Sequence, residues 1–530
     1  MHRYKMEIAK NLISKIPQEV SHVTQTLEGA GFQAYLVGGC VRDLLMNKKP
    51  KDWDIATNAK PEQIEGLFDK TSYENTFGTV GVFIPIEADD GENVPHETSE
   101  GDVIHETLKY RIIEVTPYRT EAKYSDFRHP DEVKFSNKIE DDLKRRDFTV
   151  NALALSLSAK GGSASGGKGH VLDNFEGIKD IEDKVLRTVG NPDDRFSEDA
   201  LRMLRAVRFA VQLDFSISNE TMESIIKNAK LIAKISSERI RDEFVKIIMS
   251  ENPAAGILML QKFGLLKNII PELEEGIGCE QLGEHIYDVW NHLLVATQHA
   301  ADKNWPLPVR LAALFHDIGK PRTRRPAEGA GKKKYTFYGH DVVGARMVKA
   351  IMERLKFSKK EIELIGKLVR NHMFFSDTEL ITLSAVRRII VKVGRENIWT
   401  LMNVRECDRA GMKKKEAPYR LRKYFAMIEE ALRDPISVGA LKIDGEFMMK
   451  NLGIKPGPRM GWILSALLEE VLNAPEKNTV DHLSELAKSL DVLSDAELKA
   501  LGDRGKEKKE ELEEMEIEKL RAKHGVKKGK

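Results

Sequence analysis

The sequence predicts an α+β protein: an N-terminal head built on a mixed sheet, followed by a mostly α-helical remainder. Three observations predict it. Branched, apolar runs of strand length are confined to about the first 185 residues. From about Asn191 onward, apolar residues recur at helical spacing. At 530 residues the chain is too long for one hydrophobic core, so three or four domains or subdomains are expected. Hydrophobic residues at 41% and charged residues at 32% suit a soluble, largely helical protein. No apolar run approaches the length of about 18 residues that a membrane helix needs, so no membrane association is expected. The three cysteines, Cys40, Cys279 and Cys407, lie far apart, which suggests a reduced, cytoplasmic protein rather than a disulfide scaffold. A net charge of +1 means that any nucleic-acid surface must be a local patch.

The elements follow in order. Residues 1–30 are expected to be an N-terminal helix, opening on the amphipathic MHRYKMEIAKNLISKI, which lacks the apolar stretch of a signal peptide. AYLVGG reads as a strand running into a glycine turn, and VRDLLMN starts a helix. DWDIAT, GTVGVFIPI, YRIIEVTPYR and ALALSLS read as further strands. Residues 87–102 form an acidic loop, and 160–169, KGGSASGGKG, a flexible hairpin tip between ALALSLS and VLDNF. The expected divisions are a head at 31–185, a helical neck at 186–270, a further helical domain at 271–430, a C-terminal helical region at 431–500 and a charged, flexible tail at 501–530 that reads as a solvated helix with a frayed end. A basic loop, 322–336, interrupts the third of these. No internal repeat is present.

Gly38 and Gly39 sit between a strand and a helix, where glycine lets the backbone approach a phosphate and the helix start offers its amides to an anion. About a dozen residues on, Asp52 and Asp54 stand two apart in an expected strand, so they share a face. Two carboxylates that close are costly unless a cation sits between them, and Mg²⁺ prefers a few carboxylates together with phosphate oxygens. A glycine turn for a triphosphate beside a two-carboxylate metal site suits nucleotidyl transfer with two metals. Trp53, between them, faces the core.

VGGCVRDLL followed by KDWDIATNA resembles the head of the polymerase-beta-type nucleotidyltransferases, and among these the bacterial class II CCA tRNA nucleotidyltransferases and poly(A) polymerases. The likeness continues in order through FGTVGV, IIEVTPYR, DDLKRRDFTVNALAL, DDRFSEDALRMLRAVRFA and ISSERIRDEFVKI, over roughly residues 30–250. GIKPGPRMGWIL (453–464) resembles a C-terminal segment of the longer CCA-adding enzymes. The resemblance implies Asp52 and Asp54 as catalytic Mg²⁺ ligands and Glu114 as a third carboxylate on a neighbouring strand. It gives Gly39 to the phosphate turn, Arg42 and Arg146 to the triphosphate or nucleotide, Arg205 and Arg208 to the nucleotide, and Asn151 to the sugar. Glu198-Asp199-Ala200-Leu201-Arg202 keeps intact the E-D-x-x-R segment that serves the family as a protein template, so the resemblance implies that the neck selects the nucleotide and binds RNA and that the region 431–500 binds tRNA. CTP, ATP and tRNA are the implied partners.

A chemical reason stands beside the resemblance. SEDALRMLRAVRF is expected to be helical, with Asp199, Arg202, Arg205 and Arg208 along a slowly drifting stripe. Cytosine and adenine each carry an exocyclic amine beside a ring-nitrogen acceptor. Aspartate accepts from the first and arginine donates to the second. Uracil and guanine present the reverse pattern and would leave both charges unpaired, a mismatch rejected far more strongly than a lost methylene.

AALFHDIGKP ends an apolar helix on His316-Asp317, with His292 upstream in DVWNHLL and Asp408 downstream in NVRECDRAG. This set resembles the ligands of the HD phosphohydrolases and suits a second divalent transition metal that activates water on a phosphomonoester or cyclic phosphate. His340 and His372 fall where family members place further histidines. The leading expectation is therefore template-independent addition of the 3′-terminal C-C-A of tRNA with release of pyrophosphate, alongside a separate hydrolytic centre. The alternatives are a poly(A) polymerase or A-adding enzyme, against which the complete E-D-A-L-R and the HD residues argue; an RNA-binding protein with an inactive head, against which intact Asp52, Asp54 and Arg42 argue; and an HD-led nucleotide hydrolase, which leaves the first 250 residues without a role.

Overall fold

The computed structural model describes residues 4–8, 10–73, 78–86, 109–122, 132–157, 169–281, 285–327, 335–373, 382–412, 418–432 and 438–524. The acidic loop 87–102 and nearly all of the expected hairpin tip at 160–169 lie outside these residues. The chain clusters into two compact units, Met1–Val369 and Arg370–Lys530, a division that falls inside the expected 271–430 region.

The first unit opens on a sheet. Its strands are β1 (Tyr4–Ile8), β2 (Ala34–Val37), β3 (Asp54–Thr57), β4 (Thr71–Tyr73), β5 (Val80–Ile86) and β6 (Lys109–Pro117), with β7 (Arg119–Ala122) and β8 (Glu132–Phe135) as a separate hairpin and β9 (Leu153–Ser156) and β10 (Gly169–Asp173) completing it. The order is β1-β10-β9-β2-β3-β6-β5-β4. Only β3 and β6 run parallel among the pairs of this sheet, so the sheet is mixed. The expectation of a helix across residues 1–30 is corrected at its start: Tyr4–Ile8 is a strand, paired antiparallel from Tyr4↔Asp173 to Ile8↔Gly169. The free edge of β10 supplies a ladder that a short, weakly periodic segment cannot match with its own helical hydrogen bonds. Helix follows, as a single turn at Lys10–Ile13 and then at Gln18–Gly29, where Val20, Val23, Thr24 and Leu27 are buried at one-face spacing.

Alternation along the strands decides where the chemistry goes. Ile55, Ile113 and Val115 enter the large core beneath the Gln18–Gly29 helix, with Leu36, Val80, Val82, Leu155 and Val171. Their neighbours Asp54 and Glu114 therefore point to the opposite face. Trp53 is buried in the large core, as expected.

Helices follow the sheet: Pro192–Glu198, Leu201–Leu213, Ser237–Ile248, Val289–Asp302, Leu307–Phe315 and His340–Arg354 in the first unit. The expected continuous helix through SEDALRMLRAVRF is corrected. It breaks at Asp199, which is extended (φ −142°, ψ 103°). The Asp199 carboxylate accepts the Leu201 N–H at 3.0 Å, a local bond that competes with helix continuation and starts the next helix instead. Arg202, Arg205 and Arg208 share that second helix; Asp199 stands ahead of it.

In the second unit, the helix Pro458–Asn473 is central to a core of Ile463, Leu467, Leu468, Leu483 and Leu498. The charge-rich helix expected in the tail is present: Asp495–Lys523 is one helix, started by a Ser494–Glu497 capping box, and it packs on the Pro458–Asn473 helix rather than standing in solvent. Its scarcity of large apolar residues is offset by close approach. Gly502 and Gly505 lie against Trp462 and Ser465 with no room for a Cβ, and Arg504 and Lys523 pair with Glu469 and Glu429. Among the described residues, no helix is long and apolar enough to cross a membrane.

Candidate active site

The parallel pairing of β3 with β6 sets Asp54 directly beside Glu114. Strand β3 begins only at Asp54, so Asp52 sits in the bend before it rather than in the strand expected over DWDIAT. All three carboxylates nevertheless line one cavity of about 400 Å³, whose rim carries Lys15, Lys49, Lys51 and Arg111. Burial pushes the Asp54 carboxyl upward, Arg146 pulls it back and Asp52 adds to the rise, leaving it above its ordinary value. A carboxylate strained by burial and a like-charged neighbour is relieved by a divalent cation, so this trio fits one.

Gly38 follows β2 and caps the next helix with φ 79°, a conformation that favours glycine. A Cβ there would lie 2.7 Å from Arg146 Nη1. Gly39 is the first residue of the helix Gly39–Leu45. The turn thus brings Gly38 against both the Arg146 guanidinium and the Asp54 carboxylate, and Gly39 against Arg42. Arg146 is held by Asp142, to which Nη2 donates at 3.1 Å, while Arg145 Nη2 donates to the other Asp142 oxygen at 2.6 Å. Burial pushes Asp142 up, but the two guanidiniums outweigh it and hold the carboxyl below its ordinary value.

A connected network joins the expected nucleotide residues. Arg42 Nη1 donates to Asn151 Oδ1 at 2.6 Å, Asn151 Nδ2 donates to Asp147 Oδ1 at 3.3 Å, and Arg205 donates to Asp147 Oδ2 from Nε at 2.8 Å and from Nη2 at 2.5 Å. Arg42 also pairs with Asp43 at 2.7 Å. Asn151 is buried with both ends of its amide engaged. Burial pushes Asp147 up, but Arg205, Arg202 and Asn151 outweigh it and hold it at about 2. Arg208 Nη1 donates to Glu243 Oε1 at 3.1 Å. Its burial and the nearby Arg205 charge bring it down to about 10.

The two expected base-reading residues each have another partner. Asp199 Oδ2 accepts from Arg239 Nη2 at 2.7 Å. Arg202 Nη1 donates to Glu198 Oε2 at 2.5 Å, and its Nη2 donates to the Arg145 carbonyl at 3.1 Å. Glu198 also pairs with Arg195. Asp142, Asp147, Arg239 and Glu243 were not singled out by sequence reasoning. They lie within DDLKRRDFTVNALAL and ISSERIRDEFVKI, so the stretches were legible but the pairings were not.

A second cluster forms farther along the first unit. His292 Nε2 lies 3.1 Å from His316 Nε2, and Asp317 Oδ2 lies 3.5 Å and 3.3 Å from these two nitrogens. His340 Nε2 is 3.2 Å from Asp317 Oδ1. His316 Nδ1 faces the Ala313 carbonyl at 2.8 Å and His340 Nδ1 the Phe337 carbonyl at 2.7 Å. Donation to those carbonyls leaves each Nε2 as a lone pair aimed at the centre, the tautomer that metal ligation needs. Lys320 Nζ is 2.5 Å from Asp317 and also bonds Gln281. Burial would raise Asp317, but Lys320, His316 and His340 outweigh it and hold it well below the usual carboxylate range. A converging set of imidazoles and a carboxylate fits a divalent transition metal. Asp408 and His372 belong to the second unit; both are buried, and Asp408 accepts from Arg405 Nη1 at 2.9 Å. Of the basic loop 322–336, residues 328–334 lie outside the described residues; its ends pair as Arg325↔Thr336 and Pro326↔Tyr335.

Three family models match the chain: a poly A polymerase head domain over residues 34–187, a probable RNA and SrmB- binding site of polymerase A over 214–277, and an HD domain over 282–418. The CCA-adding enzyme of Lactobacillus delbrueckii subsp. bulgaricus is 30% identical over 486 residues, spanning 89% of this chain and 98% of that protein. The CCA-adding enzyme of Enterococcus faecalis is 44% identical over 240 residues, 45% of this chain and 51% of that one. Among solved structures, the Bacillus stearothermophilus CCA-adding enzyme in complex with CTP is 25% identical with a TM-score of 0.55, covering 89% of this chain and 97% of its own. The Thermotoga maritima CCA-adding enzyme complexed with tRNA shares 18% identity and a TM-score of 0.50, covering 92% of this chain and 100% of its own, a likeness of fold alone.

Proposed function

The chain belongs to the CCA-adding enzymes, and on that premise we propose that it builds or repairs the 3′-terminal C-C-A of tRNA from CTP and ATP without a nucleic-acid template, in the cytoplasm. The observation that carries this reading is the parallel register that sets Asp54 beside Glu114 on the open sheet face, with Asp52 at the same cavity and Arg146 over the Gly38 turn. Asp52, Asp54 and Glu114 would hold a divalent cation, Mg²⁺ in this reading. Bound there, the cation supplies Lewis-acid stabilisation of charge on the transferring phosphoryl group. Arg42 and Arg146 orient the triphosphate across the glycine turn from these carboxylates. The tRNA O3′ attacks the α-phosphorus, an O–P bond forms as the bond to pyrophosphate breaks, and Glu114, exposed like Asp52 and set beside Asp54 by the parallel register, takes the O3′ proton.

Asp199 accepts from the exocyclic amine of cytosine or adenine, and Arg202 donates to the adjacent ring nitrogen. Each exchanges its resting partner, Arg239 or Glu198, for the base. Arg205 and Arg208 complete the nucleotide pocket, and Asn151 keeps Arg42 in line with Asp147. The test is to supply tRNA ending before C-C-A with each labelled nucleotide separately and together, then sequence the ends. C-C from CTP and C-C-A from both together are expected; A-tails from ATP alone would favour a poly(A) polymerase.

The convergence of His292, His316, His340 and Asp317 favours a second activity. These residues would hold nickel, cobalt or manganese rather than magnesium, to hydrolyse a phosphomonoester or a 2′,3′-cyclic phosphate at a damaged RNA end. Hydrolysis of a 2′,3′-cyclic nucleotide in the presence of each metal tests it; no turnover with any of them overturns it.

A further inference from the structure

One aromatic ring stands among three of the arginines, and no part of the reading above uses it. Phe209 is buried, and its ring lies 5.4 Å from the Arg42 guanidinium, 5.3 Å from that of Arg205 and 4.2 Å from that of Arg208. All three are within cation–π range. Arg205 and Phe209 are one helical turn apart on Leu201–Leu213, whereas Arg42 comes from the helix that follows the glycine turn. Phe148, from the turn before β9, packs edge-on against the same ring at 5.8 Å. The ring is therefore a second contact, beside the Arg42–Asn151–Asp147–Arg205 hydrogen bonds, shared by the triphosphate side and the base-selecting side of the pocket.

Three guanidiniums gathered this closely repel one another. Each already has one anionic partner: Asp43, Asp147 and Glu243 respectively. A further carboxylate among them would hold them together but would cancel the positive charge that an incoming triphosphate needs. An aromatic ring attracts cations without carrying a net charge, and stacking uses the flat face of a guanidinium while leaving its in-plane N–H donors for oxygen acceptors. We propose that Phe209 is a positioning residue for nucleotide binding: its ring holds Arg42, Arg205 and Arg208 as one cationic group facing the triphosphate, and so registers the glycine-turn helix against the base-selecting helix. This inference rests on the reading of those three arginines as nucleotide-binding.

The experiment separates the two. Phe209 is replaced in the full chain by 4-fluoro-, 3,5-difluoro- and 3,4,5-trifluorophenylalanine, which withdraw charge from the ring face with little change of shape, and in separate variants by leucine and tyrosine. KM and kcat for CTP and ATP are measured on tRNA lacking C-C-A, with Tm as a check on folding. KM is expected to climb stepwise with fluorination, to about tenfold, the scale of a partly desolvated cation–π contact. It should rise with F209L and return to the wild-type value with F209Y, while kcat and Tm stay level across the fluorinated series. Arg42→Lys and Arg205→Lys serve as references. If they raise KM but fluorination leaves it flat, Phe209 only fills space and the proposal is overturned while the arginine reading stands. If the arginine variants also leave KM unchanged, both fall.

Discussion

Replacing Asp147 by asparagine removes the anion that holds Arg205 and breaks the chain from Arg42 through Asn151. Asp147 is 8% exposed, and burial by itself would raise its pKa. Arg205, with help from Arg202 and Asn151, instead holds it at about 2, against 3.8 for a free aspartate. A folded-state value below the unfolded one means that folding favours the ionised form. The stabilisation is complete above pH 3.8 and is lost as the pH falls through 2. At about 1.4 kcal/mol per pH unit, the difference corresponds to about 2 kcal/mol at neutral pH. The Arg205 side chain is 33% exposed, so the orphaned guanidinium is partly rehydrated. The cost should therefore stay near that figure rather than reach the ~3–5 kcal/mol of a wholly buried pair that is broken. Hydrogen exchange of the amides of Leu201–Leu213 in mild urea keeps the readout on the element concerned. Protection there should fall by about 2 kcal/mol at pH 7 and by about half as much at pH 3. KM for CTP and ATP should rise with it, because Arg205 loses both of its hydrogen bonds to the carboxylate. Unchanged protection at pH 7, or a loss that does not shrink toward pH 3, would refute the argument.

Asp54→Ala should abolish nucleotide addition while tRNA binding by gel shift is retained; near-normal incorporation with Mg²⁺ would remove Asp54 from the metal site. Asp199→Ala should raise incorporation of UTP and GTP relative to CTP and ATP as well as slow the enzyme, and a proportional slowing of all four would make Asp199 a structural partner of Arg239 alone. The double change His316→Ala with Asp317→Ala should lower bound transition metal, measured by elemental analysis, and remove phosphoester hydrolysis while sparing C-C-A synthesis. Loss of C-C-A synthesis with hydrolysis retained would invert the assignment of the two centres.

Much of this protein is written in short stretches. The strand-turn-helix around Gly38, the adjacency of His316 and Asp317 at a helix end, and the strands first, helices after order all depend on periods of two or of about 3.6 residues, which a sequence displays directly. Those periods also determined which face of β6 Glu114 would take, because its neighbours Ile113 and Val115 belong to the core. The tertiary structure decided what no local period encodes. Asp147 meets Arg205 across 58 residues and Asp199 meets Arg239 across 40, and which guanidinium finds which carboxylate depends on how the helices are laid against the sheet. The N-terminal segment became a strand because β10 offered it an edge, and the helix through SEDALRMLRAVRF broke because the Asp199 carboxylate captured a backbone N–H two residues on. The C-terminal helix, itself legible, lies against the Pro458–Asn473 helix because two glycines permit the close approach. In each case a contact distant in sequence, or one side-chain hydrogen bond, outweighed a propensity difference of only a few tenths of a kcal/mol per residue.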